Sequence, residues 1–194
     1  MATLLQDRMQ DPVRGGRGVR SGVSSTGDGG RATGPSLREL LADPDLFLIG
    51  LGATGRDEVL RTLAGALEAK GYVHDSYAGA VVAREREYPT GLQTTVGTAI
   101  PHADVEHVRE PGIAVATLAS PVGFTAMGTD DDRVDVRAVF MMAITDADAQ
   151  VTVLGQLVEA LQDDELLRRL VEVADAGQAR DLLDEWTADR AVSG

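Results

Sequence analysis

The stretch Val134 to Ile144, VDVRAVFMMAI, starts with polar and apolar residues in alternation and becomes apolar throughout. Alternation at a period of two marks a strand with one wet face, and a continuous apolar run marks a strand entering a sheet buried on both faces. Other runs of strand length stand ready to join it: Leu46 to Leu51 (LFLIGL), Ile113 to Leu118 (IAVATL) and a shorter one, Val96 to Ile100, which leads into Pro101 and His102. Ser120 to Gly123 and Met127 to Arg133 read as loops. The acidic triplet Asp130 to Asp132 in the second of these lacks the alternating ligand spacing and distal glutamate of a calcium loop, and reads as a solvated turn.

Between the strand-like runs the apolar period changes to that of helices. After a short helical piece, LRELL, Thr54 and Asp57 stand at capping-box spacing. Val59, Leu60, Leu63, Ala64 and Leu67 then recur on one face, and Gly71 supplies a left-handed stop. Asp75 or Ser76 opens a second helix reaching about Glu87, and Tyr88-Pro89-Thr90-Gly91 ends it as a turn. Beyond the last strand, Thr145 to Asp148 offers a helix start before the stripe Val151, Leu154, Leu157, Val158 and Leu161. Asp163 or Asp164 restarts a helix with Leu166, Leu167, Leu170 and Val173, and Asp175 caps a last one carrying Ala179, Leu182, Leu183 and Trp186.

Residues 1 to 36 differ in kind. They hold eight glycines and show no apolar periodicity after Leu5, so they read as a flexible Gly/Arg-rich tail. This tail carries five arginines against three aspartates, and the remaining residues carry 13 basic and 28 acidic side chains. So acidic a domain repels a nucleic-acid backbone and favours basic protein partners, unless its acids are simply a solvated surface. Cysteine is absent, which excludes thiolate metal sites and thiol nucleophiles. The longest apolar runs are too short for a membrane span, no signal-peptide pattern opens the chain, and a cytoplasmic location is expected.

The chemistry concentrates between Arg84 and His102. Tyr77, Val81 and Arg84 are spaced i, i+4, i+7, so the guanidinium shares the apolar face of its helix. A permanent cation there needs an anion, either a structural carboxylate such as Glu85 or Glu87 or something transient. His102 closes a strand after a proline of fixed φ. Read alone, a histidine so placed is better explained as a satisfied structural residue. With Asp104, Glu106 and His107 it forms a polar cluster, but two histidines five apart do not share a helical face, and a metal site is not expected. There is no G-x-S-x-G elbow or neighbouring serine to make a hydrolase.

The run ARE-x-x-x-PTG (Ala83, Arg84, Glu85, Pro89, Thr90, Gly91) followed by Ala99-Ile100-Pro101-His102 resembles the signature of the fructose/mannitol-type IIA components of the phosphoenolpyruvate-dependent sugar phosphotransferase system. AKGYVHDS (Ala69 to Ser76) is similar to the galactitol branch, and the resemblance runs from the early forties to the late 180s. It implies an α/β fold, a mixed β-sheet sandwiched by α-helices, over residues 40 to 188. It also implies a phosphohistidine carrier in which His102 takes a phosphoryl group from the phosphocarrier HPr and passes it to a IIB component, with Arg84 as the cationic partner. Thr90, His107 and Gln150 are then further candidates to bind the phosphoryl oxygens. Gln150 stands where fructose- and mannitol-type relatives carry a second histidine. The segment after Thr90 is about two residues longer than in those relatives. No metal or organic cofactor is implied, and the sugar is contacted by the membrane component.

Transfer between histidines requires a neutral imidazole nitrogen facing the phosphorus, an acceptor for the other nitrogen's proton and donors for the phosphoryl oxygens. It also requires access for two proteins, so His102 is expected in a shallow depression with an apolar rim. The alternative function is a regulatory module whose phosphorylation state signals to a protein partner without transport.

Overall fold

The computed structural model describes residues 34–191, apart from the side chains of 147–152 and 191. The tail assigned to residues 1 to 36 lies almost wholly outside these. Its last residue, Ser36, is the N-cap of the first helix, α1 (Leu37–Leu40), in a reciprocal capping box with Glu39. This is the short helical piece LRELL expected from the sequence. Leu37, Leu40 and Leu41 are buried, and Arg38 holds Asp184 near the other end of the chain with an Nε–Oδ1 distance of 2.6 Å.

A 3-10 turn, Pro44–Leu46, leads into β1 (Phe47–Leu51), and α2 (Arg56–Ala69) follows. The expected Thr54–Asp57 capping box does not form. Gly55 is the N-cap, and Thr54 instead donates its backbone N–H and its hydroxyl to Glu58 Oε2, each at 2.8 Å. The longer glutamate reaches back one residue further than an aspartate can. At the other end Gly71 adopts φ +83°, and Gly71 and Tyr72 donate to Glu68 and Leu67, a Schellman stop. Next come α3 (Tyr77–Glu87), β2 (Gly91–Leu92), β3 (Thr98–Ala99), a 3-10 turn (Val105–His107), β4 (Gly112–Thr125) and β5 (Arg133–Ala143). Helices α4 (Ala147–Leu161), α5 (Asp164–Leu170) and α6 (Ala176–Ala191) complete the described chain.

The five strands form one mixed sheet in the order β1-β4-β5-β3-β2. β4 and β5 run antiparallel at its centre, while β1 and β3 lie parallel to their inner neighbours. In β4, Ala114, Ala116 and Leu118 face the core shared with α2 and α3, and the intervening Ile113 and Val115 face the other way and are equally buried. Both faces are therefore covered, as the apolar run in β5 requires. Burial of each large aliphatic in α2, such as Leu60, Leu63 or Leu67, contributes on the order of 1.5–3 kcal/mol.

Two strand boundaries differ from the sequence reading. Ser120 to Gly123, expected as a loop, belongs to β4. The register shifts between Thr117 and Val122, and Ala119 to Pro121 are exposed there, where a proline costs no ladder bond. The strand expected over Val96 to Ile100 is reduced to Thr98–Ala99, because Gly97 takes φ +67° with its backbone pressed on Asp135. A Cβ at Gly97 would lie 2.0 Å from the Asp135 carbonyl oxygen. Arg137 and Ala138 both donate to the Gly97 carbonyl, a bulge opposite this glycine that lets β5 keep its inner side chains buried beyond it.

Candidate functional site

β3 is short, yet it sets the whole site because the chain leaving it is pinned on both sides. Ile100 N–H donates to the Thr90 carbonyl at 3.4 Å, and the Pro101 carbonyl accepts Met142 N–H from β5 at 3.0 Å. His102 then pairs with Met142 in an isolated parallel bridge. Beneath it Tyr77, fully buried in α3, donates its hydroxyl to the Met142 carbonyl at 2.7 Å. Desolvation raises the Tyr77 phenol, so it stays a neutral donor.

The imidazole of His102 is only 8% exposed. Its Nδ1 lies 3.0 Å from the Ile100 carbonyl oxygen, an acceptor that places the proton on Nδ1 and leaves the lone pair on Nε2. Burial lowers its pKa to about 4, against the Ile100 bond; Arg84 lowers it further and Asp104 opposes. The ring is neutral at physiological pH.

Arg84 comes from the last turns of α3, where the helix face that starts at Tyr77 meets the segment after β3. Its Nη2 donates toward His102 Nε2 at 3.2 Å and its Nη1 toward Asp104 Oδ1 at 3.3 Å. Its Nε is buried without a hydrogen-bond partner among the described residues, and the guanidinium carbon lies 5.4 Å from the Tyr88 ring centroid. The carboxylate that meets Arg84 is thus Asp104, on a mostly exposed turn, and neither Glu85 nor Glu87. A cation resting on a lone pair and on one solvated carboxylate has hydrogen-bonding capacity left for a stronger anion.

Glu85, the next residue, turns inward and is 1% exposed. It accepts the Thr90 N–H at 3.0 Å and the Thr90 hydroxyl at 2.6 Å, and burial raises its pKa against those two bonds. Thr90 therefore lies close to the site in sequence and backbone bonding, but its hydroxyl proton is committed to Glu85. His107 is held elsewhere. Its Nδ1 lies 2.8 Å from Ser76 Oγ, at the start of α3, ~12 Å along the helix from Arg84. Gln150 belongs to α4, and its side chain lies outside the described residues. Among the described residues no group of three His, Asp or Glu side chains is arranged to hold a metal ion.

The site is tighter than the shallow depression expected from sequence, and most of the ring is covered. The two large hydrophobic side chains left exposed among the described residues are Tyr88 (46%), four residues after Arg84, and Val105 (43%), three after His102. Sequence reasoning missed the inward turn of Glu85, the Asp104 contact and the Tyr77 bond. Only the first left a signal, a glutamate directly after an arginine that already holds the apolar face.

Residues 40–186 match the family described as "Phosphoenolpyruvate-dependent sugar phosphotransferase system, EIIA 2". The galactitol-specific EIIA component of Escherichia coli (strain K12) is 28% identical over 141 residues, covering 72% of this chain and 93% of that protein. The crystal structure of IIA mannitol from Escherichia coli is similar with a TM-score of 0.60 at 26% identity, covering 73% of this chain and 97% of that one. Enzyme IIA mannitol in its complex with phosphorylated enzyme IIB mannitol, also from Escherichia coli, gives a TM-score of 0.60 at 26% identity, covering 72% and 94%.

Proposed function

The chain belongs to the EIIA 2 family of the phosphoenolpyruvate-dependent sugar phosphotransferase system, and we propose that within it His102 carries the phosphoryl group, as a phosphohistidine. The observation that carries this reading is the neutral, buried imidazole whose Nδ1 proton is held by Ile100 and whose Nε2 faces the Arg84 guanidinium.

The donor is the phosphohistidine of HPr. Its N–P bond breaks as a bond forms from His102 Nε2 to phosphorus, and the His102 proton stays on Nδ1. Arg84 rests on the lone pair that must attack, so it withdraws from Nε2 and moves its donors onto the phosphoryl oxygens, where both partners of each bond are charged. Reversal of the same step, with a side chain of a IIB component as acceptor, empties the carrier. The complex of enzyme IIA mannitol with phosphorylated enzyme IIB mannitol supports a partner of that kind. The exposed Tyr88 and Val105 give both partners an apolar footing beside the nitrogen they share. A mostly buried nitrogen also shields the N–P bond from water between transfers.

The pathway served is uptake of a sugar or sugar alcohol of the galactitol kind, in the cytoplasm. Among the described residues no helix is long and apolar enough to cross a membrane. The test is incubation with phosphoenolpyruvate, Enzyme I and HPr, followed by intact mass and acid-lability measurement. One acid-labile phosphoryl group on the wild type and none on His102→Ala is expected. A wild type left unmodified by active partners overturns the carrier reading. A phosphorylated protein that no IIB component discharges points to regulatory use of the same histidine.

A further inference from the structure

A buried carboxylate is an unusual way to hold a turn, because its desolvation costs several kcal/mol unless its oxygens are well bonded. Glu85 accepts two bonds from one residue, Thr90, and nothing else donates to it among the described residues. From Thr90 the bonding continues in one direction. The Thr90 carbonyl accepts Ile100 N–H, and the Ile100 carbonyl accepts the His102 Nδ1 proton. Successive residues on a helix diverge by about 100°, so Arg84 and Glu85 leave α3 toward different sides. One reaches Nε2 of His102 directly, and the other reaches Nδ1 through Thr90 and Ile100.

We propose that Glu85 is a positioning residue for His102: its buried carboxylate fixes the Thr90 turn, which holds Ile100 so that the Ile100 carbonyl keeps the imidazole proton on Nδ1. The functional consequence rests on the reading of His102 as the phosphoryl acceptor. Its immediate consequence, the tautomer, does not.

The geometry makes the device specific. β2 and β3 contribute only two residues each, too few to hold their register by ladder bonds alone. Gly91 fits tightly against Thr125, where a Cβ would come within 2.5 Å of the backbone oxygen, so the turn cannot move toward β4. Glu85 closes the opposite side. The Ile100 carbonyl is thereby aimed by three anchors: Thr90 before it, Met142 on the following peptide and Glu85 behind Thr90. Released from Glu85, the turn rotates, Ile100 loses its fixed direction, and the imidazole can carry its proton on Nε2, where it can neither attack phosphorus nor accept from Arg84.

The experiment uses the full chain, labelled with nitrogen-15. Long-range proton–nitrogen spectra report the His102 tautomer, and the rate of phosphoryl uptake from phosphorylated HPr is measured alongside. The wild type is expected to show a single Nδ1–H tautomer. Glu85→Ala should populate the Nε2–H form and slow uptake about 10- to 100-fold, the scale of an ångström-sized misplacement. Glu85→Gln, whose amide oxygen still accepts Thr90 N–H, should restore the tautomer and most of the rate. A core substitution of matched stability loss, Val59→Ala, should leave both unchanged.

Glu85→Ala that keeps a single Nδ1–H tautomer overturns the proposal, as does Val59→Ala producing the same mixture. Should Glu85→Ala fail to fold, Thr90→Val decides. It keeps the backbone bond and loses the hydroxyl bond, and an unaltered His102 spectrum then overturns the proposal. A wild type that takes no phosphoryl group refutes the carrier reading, while the tautomer still decides the role of Glu85.

Discussion

Both ends of α3 bring an arginine against a histidine, and only one end has the geometry proposed above for a phosphoryl acceptor. At the start of the helix Arg109 Nε donates to His74 Nδ1 at 3.1 Å, and His107 Nδ1 stands 2.8 Å from Ser76 Oγ. At its end Arg84 Nη2 stands 3.2 Å from His102 Nε2. The distances are alike, so residue type and contact do not separate the two. Burial and the other ring nitrogen do. His102 is enclosed and gives its Nδ1 proton to a backbone carbonyl that cannot titrate or rotate away. His74 and His107 bond through ring nitrogens to side chains, in partly exposed surroundings, and among the described residues no backbone group bonds to either ring. A fixed tautomer in a dry place, more than a nearby cation, is what prepares a histidine for attack.

The largest effect that tests this contrast is removal of each histidine in turn. His102→Ala should abolish phosphoryl uptake. His74→Ala and His107→Ala should stay within about threefold of the wild type, since neither ring shares a bond with His102. Intact mass after incubation with phosphorylated HPr reads all three. Uptake that depends on His107 as strongly as on His102 would join the two ends of the helix into one site and break the comparison.

Next in size is the pair of arginines. Arg84→Gln should cost about 100- to 1000-fold in transfer rate, the usual loss when a preorganised donor to a transferring anion is removed. Arg84→Lys should recover only part of this, because an ammonium offers no planar fork. Arg109→Gln should do nothing measurable. Single-turnover rates check the three variants, and equal losses for Arg84→Gln and Arg109→Gln would mean that long-range charge, not contact, is the contribution.

How much of this contrast is legible in the sequence differs between its parts. The apolar run in β5, the stripe of α2 and the stop at Gly71 specify the covered sheet and its helices, because burial imposes periods of its own. Pro101-His102 after a strand and Arg84 on an apolar face read by themselves as structural residues, and only the resemblance to the IIA signature singles them out as the site. The acceptor for Nδ1 leaves no mark, since any residue offers a carbonyl and only the path after β3 aims that of Ile100. Thr90 reads as a phosphoryl donor because a hydroxyl in a turn beside the site is available in principle. Its commitment to Glu85 depends on which way a helix end faces. The extent of β4 through Pro121 is hidden because a bulge makes room for turn residues inside a strand.

The smallest effect concerns stability. His102 has an ordinary imidazole pKa when unfolded and one lowered to about 4 in the fold. Between those values the unfolded chain binds the proton and the folded one does not, so stability rises with pH through this window and is lost as pH falls. Glu85 acts in the opposite sense. Its pKa is raised by burial, so above the ordinary carboxylate value the folded state holds the proton more tightly, and that contribution declines as pH rises. The two overlap in weakly acidic solution, and the wild type alone cannot separate them. The difference between the wild type and His102→Gln isolates the histidine. It should grow in favour of the variant by up to about 3 kcal/mol as pH falls from neutral toward 4, measured by urea unfolding. A flat difference at His102 would mean that the imidazole stays charged or wet in the fold, and the two ends of α3 would then be equivalent after all.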